Sequence, residues 1–310
     1  MLNINKHDAW RELRDLIQRH VGSLNSLKMM PNLTLSAYHS PTQPLLYMAE
    51  PTFALVVQGI KQVALGEKLF RYAAGQYLIY VVDLPLSSHV IAASEEEPLL
   101  GLGLTIKPEH IASLLLESGM HIDKTPHQGS IAVSELTEGL LDSIIRLLRL
   151  LDNPQDIPIL AQAIEREILW RLINGEQGGM LQQLGGANSR MMQIFRAIKW
   201  IRNHYKETIG IETLAQEAGM SVTSFHRHFL AMTSFSPLQF QKQVRLQMAR
   251  TLIASSLKSV AEVGYAVGYD SPSQFSREYR RLFGRPPSED GKFIRAIDDG
   301  HPPPRINVAE

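Results

Sequence analysis

The 310-residue chain contains no cysteine. Without thiols it cannot form disulfides, build a zinc–thiolate centre or sense oxidants through sulfur. Long apolar runs are also missing. The stretch around Leu99–Ile106 carries two glycines and falls far short of the roughly 20 residues that span a bilayer. Residues 1–14 are polar and charged, with no run of signal-peptide length. These gaps point to a soluble, cytoplasmic protein with no membrane partner. There is no net charge either: 31 Lys+Arg balance 31 Asp+Glu. The balance conceals a division. Residues 1–189 hold 14 basic and 20 acidic side chains, residues 190–285 hold 14 and 6, and residues 286–310 hold 3 and 5. A basic segment beside an acidic one suggests that only the second segment faces polyanions.

That basic segment contains one pattern twice. The first copy runs from Ile211 to Phe229 and the second from Val260 to Tyr279. Each has a small residue with glycine four positions on (Ala215 to Gly219, Gly264 to Gly268), then a serine, then an aromatic pair (Phe225 and Phe229, Phe275 and Tyr279). The small residue lets two helices cross closely. Glycine ends the first helix where positive φ is needed, and serine starts the second. The serines, Ser221 and Ser271, lie 50 residues apart. Opposite each aromatic face lies a polar one: Thr223, His226 and Arg227 in the first copy; Ser273, Ser276, Arg277 and Arg280 in the second. Arginine there matches groove chemistry, since a guanidinium bonds guanine O6 and N7 together. Ser271-Pro272-Ser273-Gln274 has the form of a capping box with proline at the first helical position. Between the copies, Pro237–Ala254 reads as a single long helix, a stiff connector for two recognition helices. It suits successive major grooves, about 34 Å apart. Lys199, Arg245, Arg280, Arg281 and Arg285 are expected phosphate contacts.

The first half reads differently. An amphipathic helix over residues 7–20 precedes short alternating runs between Leu33 and Thr105, about seven strands in all, which suggests an antiparallel sandwich or small barrel. Gly66-Glu67 between two such runs is a hairpin signal. Helices follow at 109–117, 135–151 and 157–174. The helix over 135–151 is apolar over more than one face, and its surplus suits either a homodimer partner or complete burial within the domain. Residues 176–189, rich in glycine, read as a flexible linker, and the triple proline near residue 302 as a disordered tail. The expected division is therefore 1–175, the linker 176–189, 190–290, and a tail 291–310.

A small barrel can hold one modest ligand. Tyr38, Phe53, Tyr80 and His89 are candidate lining residues, being large or polar within strand patterns. Metal and cofactor are not expected: His39, His89, His110, His121 and His127 form no His-x-His pair, and Glu95-Glu96-Glu97 reads as a solvated loop. Ser87-Ser88-His89 lacks the elbow of a hydrolase nucleophile, and Gly101-Leu102-Gly103 lacks the third glycine of a nucleotide turn. No enzyme is read.

The tract Arg245 to Ile253, then Val260 to Tyr269, then Phe275-Ser276-Arg277-Glu278-Tyr279-Arg280-Arg281-Leu282-Phe283-Gly284-Arg285-Pro286-Pro287 resembles the signature of the AraC/XylS family of bacterial transcription regulators. The resemblance covers residues 190–290. It implies base-reading positions at Thr223, His226 and Arg227 and at Ser273, Gln274, Ser276 and Arg277. Tyr47 to Lys61, Gly75 to Leu78 and Val82 to Pro85 are similar to the N-terminal domain of such regulators, a cupin-like barrel. The resemblance thus implies an α+β, two-domain protein: an N-terminal cupin-like antiparallel β-barrel with helices and a C-terminal all-α double helix-turn-helix module. Its implied partners are double-stranded DNA, a small-molecule effector, a second copy of the chain and, for an activator, RNA polymerase. Two other classes stay open: a metal-free cupin-like enzyme fused to a DNA-binding module, and an interaction protein whose helix pairs bind protein.

Overall fold

Alternating apolar residues make the first half of the chain a β structure, and 3.6-residue periodicity makes the rest helical. The computed structural model describes residues 6–22, 24–120, 129–187, 189–255 and 258–291. His121, His127 and the proposed disordered tail lie outside them.

Helix α1 (Lys6–Val21) leads into β1 (Ser26–Met30), β2 (Leu33–Tyr38), β3 (Leu45–Ala49), β4 (Thr52–Gln58), β5 (Ile60–Leu65), β6 (Lys68–Ala73), β7 (Gln76–Tyr80), β8 (Leu84–Ala92) and β9 (Leu99–Thr105). After α2 (Pro108–Ser118) comes β10 (Ile131–Glu135). The strands form two antiparallel sheets, ordered β1-β2-β9-β4-β7-β10 and β3-β8-β5-β6, and the chain crosses between them repeatedly. The expected barrel thus takes the form of two facing sheets. The three strands not anticipated from sequence, β1, β3 and β10, are all sheet edges. Edge strands are half-solvated, so their residues alternate weakly and leave little signal.

Register assigns the faces. In the six-stranded sheet Leu33, Leu104, Phe53 and Ile79 lie abreast. That face, with Leu35, Leu55 and Leu102, is buried beneath Leu13, Leu16 and Ile17 of α1. The other face, bearing Tyr38, Thr52, Ala54, Tyr80 and Gly103, looks at the four-stranded sheet.

Helix α3 (Glu138–Arg149) starts at Thr137, whose side chain accepts from Leu140 N, because residues 131–135 are claimed by the sheet. Leu140, Leu141, Ile144, Ile145, Leu147 and Leu148 are each at most 4% exposed. Helices α1 and α4 (Ile157–Ile173) take up the apolar surplus of α3, which turns Glu138, Asp142 and Arg149 outward. The apolar surplus expected to meet a homodimer partner through residues 135–151 thus packs within the chain. The exposed apolar side chains nearby are Ile159, Leu160 and Trp170 on α4 and Leu116 on α2.

Helix α5 (Gly178–Gly185) occupies the expected flexible linker and packs on α2, α4 and α6 (Arg190–Asn203). Met180, Leu181 and Leu184 are buried. The glycines are sites of close approach: a Cβ on Gly178 would stand 2.0 Å from the Ile173 carbonyl oxygen, and one on Gly185 2.7 Å from Ile111. Glycine content alone does not separate flexibility from tight packing.

Arg146 donates to Glu167 at 2.6 Å, tying α3 to α4, and Arg171 and Ser143 add bonds. Arg146 chiefly holds the Glu167 carboxyl at about 2, below its usual 4.5. A depressed carboxyl stabilises the fold above its unfolded value and loses that contribution as pH falls through the folded one. Glu167→Gln is therefore expected to cost about 1–2 kcal/mol at pH 7, after allowing for solvent screening, and almost nothing near pH 2. Urea unfolding at both pH values checks this; an equal cost at each would refute the ionic origin.

Helices α7 (Ile211–Ala218), α8 (Val222–Thr233), α9 (Pro237–Ser255), α10 (Val260–Ala266) and α11 (Pro272–Phe283) complete the chain. Buried side chains form two cores. The larger runs from α1 through the sheets to Val244 in α9; the smaller joins Leu246, Ala249 and Ile253 of α9 to Val263, Val267, Tyr269, Phe275 and Tyr279. Among the described residues no helix is long and apolar enough to cross a membrane.

Candidate functional site

Both duplicated patterns fold as helix pairs. Gly219 (φ 64°) and Gly268 (φ 91°) turn the chain between α7 and α8 and between α10 and α11. Ser221 and Ser271 cap the second helix of each pair. The capping box expected at Ser271 is only half made. Gln274 N donates to Ser271 Oγ at 3.3 Å, but the Gln274 side chain turns forward to Glu278. The complete box is at the start of α10, where Ser259 N donates to Glu262 and Glu262 N to Ser259 Oγ.

The aromatic pairs fix both recognition helices from behind. Phe225 and Phe229 have ring centroids 5.3 Å apart, Phe275 and Tyr279 5.6 Å, and all four are buried. Phe229 meets Phe240 edge-on at 5.5 Å, which seats α8 on α9. Lys242 Nζ and the Tyr269 hydroxyl both donate to Glu278, at 3.0 and 2.8 Å, which seats α11 on the same connector. Tyr279 and Arg250 donate to the buried Asp290, closing the module from the far side. The polar residues opposite the aromatic pairs stay outward. Thr223, His226 and Arg227 are exposed on α8; Ser273, Gln274 and Arg277 are exposed on α11, with Ser276 half-buried beside them. Arg280 and Arg281 are exposed on the next turn, and Arg285 is half-buried beyond it.

Two expected phosphate contacts have neighbours within the chain's own fold. Arg245 spends its guanidinium on the carbonyls of Tyr205 (2.6 Å), Lys206 (3.2 Å) and Glu207 (3.0 Å), bracing the end of α6 against α9. Lys199 lines a cavity of about 310 Å³ between the sheets' side and the helical module, with Met48, Glu50, Arg202, Tyr205 and Met248. Beside that cavity Arg202 meets the buried Asp83 at 2.8 Å. Burial pushes the Asp83 carboxyl up, against the pull of Arg202. Sequence reading missed this pair, although a lone aspartate inside Val81-Val82-Asp83-Leu84-Pro85 was the available signal.

Between the sheets the expected residues divide. Tyr38 and Tyr80 point inward, where both lie close enough to affect Tyr47. Phe53 instead lies on the opposite face, against Tyr77 with centroids 5.0 Å apart. His89 is also on the wrong side. It pairs with Gln62, while its neighbours Ser88 and Val90 face inward with Val63 and Lys61. A period of two sends adjacent residues to opposite faces. The inner group also includes Tyr47, Tyr72, Lys61 and Ser88, none anticipated. Their signal was the hairpin itself, since the two-residue turn Gly66-Glu67 sets Lys61 opposite Tyr72. Burial raises all four phenols, Tyr38, Tyr47, Tyr72 and Tyr80, above their usual range, so each hydroxyl keeps its proton and can donate.

Residues 29–180 match the family model for the AraC-type transcriptional regulator N-terminus, and residues 214–292 match a helix-turn-helix domain. The chain is 23% identical over 251 residues to the HTH-type transcriptional regulator YdeC of Bacillus subtilis, covering 79% of this chain and 84% of that one. It is 24% identical over 156 residues to the HTH-type transcriptional activator RhaS of Citrobacter koseri, covering 50% and 55%; the chain thus matches about half the length of that relative. These relatives are named for regulation, not for a reaction. Among solved structures, ToxT from Vibrio cholerae bound to (E)-4-(8-methylnaphthalen-1-yl)but-3-enoic acid superposes with TM-score 0.57 at 10% identity, over 85% of this chain and 98% of that one. ToxT with bound unsaturated fatty acid gives 0.50 at 11% identity, over 84% and 93%.

Proposed function

Because the chain belongs to the AraC/XylS family of transcription regulators, we propose that it recognises its operator by laying α8 and α11 into successive major grooves, under control of a small molecule held between its two sheets. The observation that carries this reading is the pair of exposed polar faces, each backed by a buried aromatic pair and both seated on α9. In this reading Thr223, His226 and Arg227 read bases from α8, and Ser273, Gln274, Ser276 and Arg277 from α11. Arg280, Arg281 and Arg285 meet phosphate. Residues 1–175 form the sensing domain and residues 190–290 the reading domain. The acid ligands of ToxT support a small-molecule effector, and the activator RhaS supports contact with RNA polymerase. A homodimer would use the exposed Ile159 and Trp170 on α4.

Selection of bound fragments from random DNA, followed by salt titration of the winner, tests the proposal. Enrichment of two segments about one helical turn apart, with affinity falling steeply in salt, is expected. Binding that is flat in salt with no enriched sequence would refute it. Arg281→Ala separates the roles: it is expected to weaken specific and random DNA alike and reduce the salt slope by about one. A loss confined to particular base pairs would reassign Arg281 to base reading.

A further inference from the structure

Lys61 stands on the inner face of β5, opposite Tyr72 and Val90, both of which are 2% exposed. No hydrogen bond or ion pair holds its ammonium among the described residues, and burial alone acts on it, lowering its proton affinity. Glu50 acts on Tyr80 of the inner cluster, and burial is the one influence on Lys61. An unpaired cation in a desolvated place destabilises a fold unless something compensates it. Tyr72 stands opposite it, and the same interior holds Tyr47 and Ser88 from the lysine's own sheet and Tyr38 and Tyr80 from the facing one. The facing strands also carry small residues inward, Ala54 and Gly103, which remain solvent-accessible although the alternate positions Phe53, Leu55, Leu102 and Leu104 are sealed beneath the helices.

We infer that the space between the sheets binds a small organic anion, a monocarboxylate, with its charge on Lys61 and its oxygens taking hydrogen bonds from the surrounding phenols. Charge-assisted bonds in a water-poor site are strong and short, so one ammonium with two or three phenols fits one carboxylate. A neutral polyol would leave the ammonium uncompensated; a metal ion would need oxyanions, and these phenols keep their protons.

The inference rests on the reading that a molecule between the sheets controls DNA binding. The test uses the full chain with propionate, hexanoate, benzoate and phenylacetate, each set against its own amide. Calorimetry gives affinity, thermal unfolding gives stability, and the selected operator reports DNA affinity. At least one acid is expected to bind one-to-one, about tenfold or more tighter than its amide. Lys61→Met should lose at least about tenfold in that binding while unfolding at the same or higher temperature, because it removes a charge that no side chain of the fold pairs. Lys68→Met, exposed at the same hairpin turn, should change affinity less than about twofold. Equal binding of acids and amides, retention of acid binding by Lys61→Met, or no acid bound at all would overturn it. If an amide binds and alters DNA affinity, the control reading survives and only the anionic class falls. If an acid binds through Lys61 and DNA affinity stays constant, the site stands and the control reading falls.

Discussion

Arg227→Ala and Arg277→Ala are each expected to cost about 1–3 kcal/mol of specific DNA affinity, and about 2–6 kcal/mol together. The size follows from bidentate guanidinium–guanine bonds. The additivity follows from the fold, since the buried aromatic pairs of α8 and α11 belong to different cores. The loss should be selective. Each single variant is expected to become indifferent to a few base pairs in one half of the operator, while affinity for random DNA stays near that of the wild type. Binding titrations against a set of single-base operator variants measure this directly. A uniform drop across all sequences would move both residues to the phosphate class and leave α8 and α11 without a base-reading arginine.

Gly268→Ala is expected to be the most disruptive single substitution to the fold of the module. The backbone there has φ 91°, and a Cβ would stand 2.3 Å from the Lys206 carbonyl oxygen and 2.8 Å from Lys206 Cα. The left-handed conformation and the backbone clash together amount to about 3–5 kcal/mol. Gly219 occupies the matching turn of the first helix pair, with φ 64° and only the Gln193 side chain nearby, at 3.6 Å. Gly219→Ala should therefore cost only about 1–2 kcal/mol. Denaturant unfolding of the two variants makes the comparison, and similar losses would mean that the approach of Lys206 does not constrain the second turn.

The twin helix pairs were legible because each depends on local chemistry: a turn glycine, a capping serine and aromatics one helical turn apart. The hairpin at Gly66-Glu67 was legible for the same reason. Long-range packing decided what was not. Arg245 looks like any basic residue on an exposed helix until the end of α6 brings three carbonyls to it. Met180, Leu181 and Leu184 look like linker filler until α2 and α4 close around them. Phe53 and His89 have the residue types of a pocket lining, but membership of the inner face depends on pairing, and one position along a strand reverses it. Lys61 could have been placed by counting back from the hairpin turn; its isolation from acidic side chains appears only when both sheets are assembled.

The boundary between the two cores falls inside α9, between Val244 and Leu246, rather than in the glycine-rich stretch before α6. Cooperative units follow shared burial, so the first helix pair shares its fluctuations with the sheets, while the second has an opening free energy of its own. If α8 and α11 enter the grooves as proposed, dwell time on each is governed by different residues: the half carrying α8 would hold on as firmly as the sheet domain is rigid, and the half carrying α11 could let go and return without disturbing it.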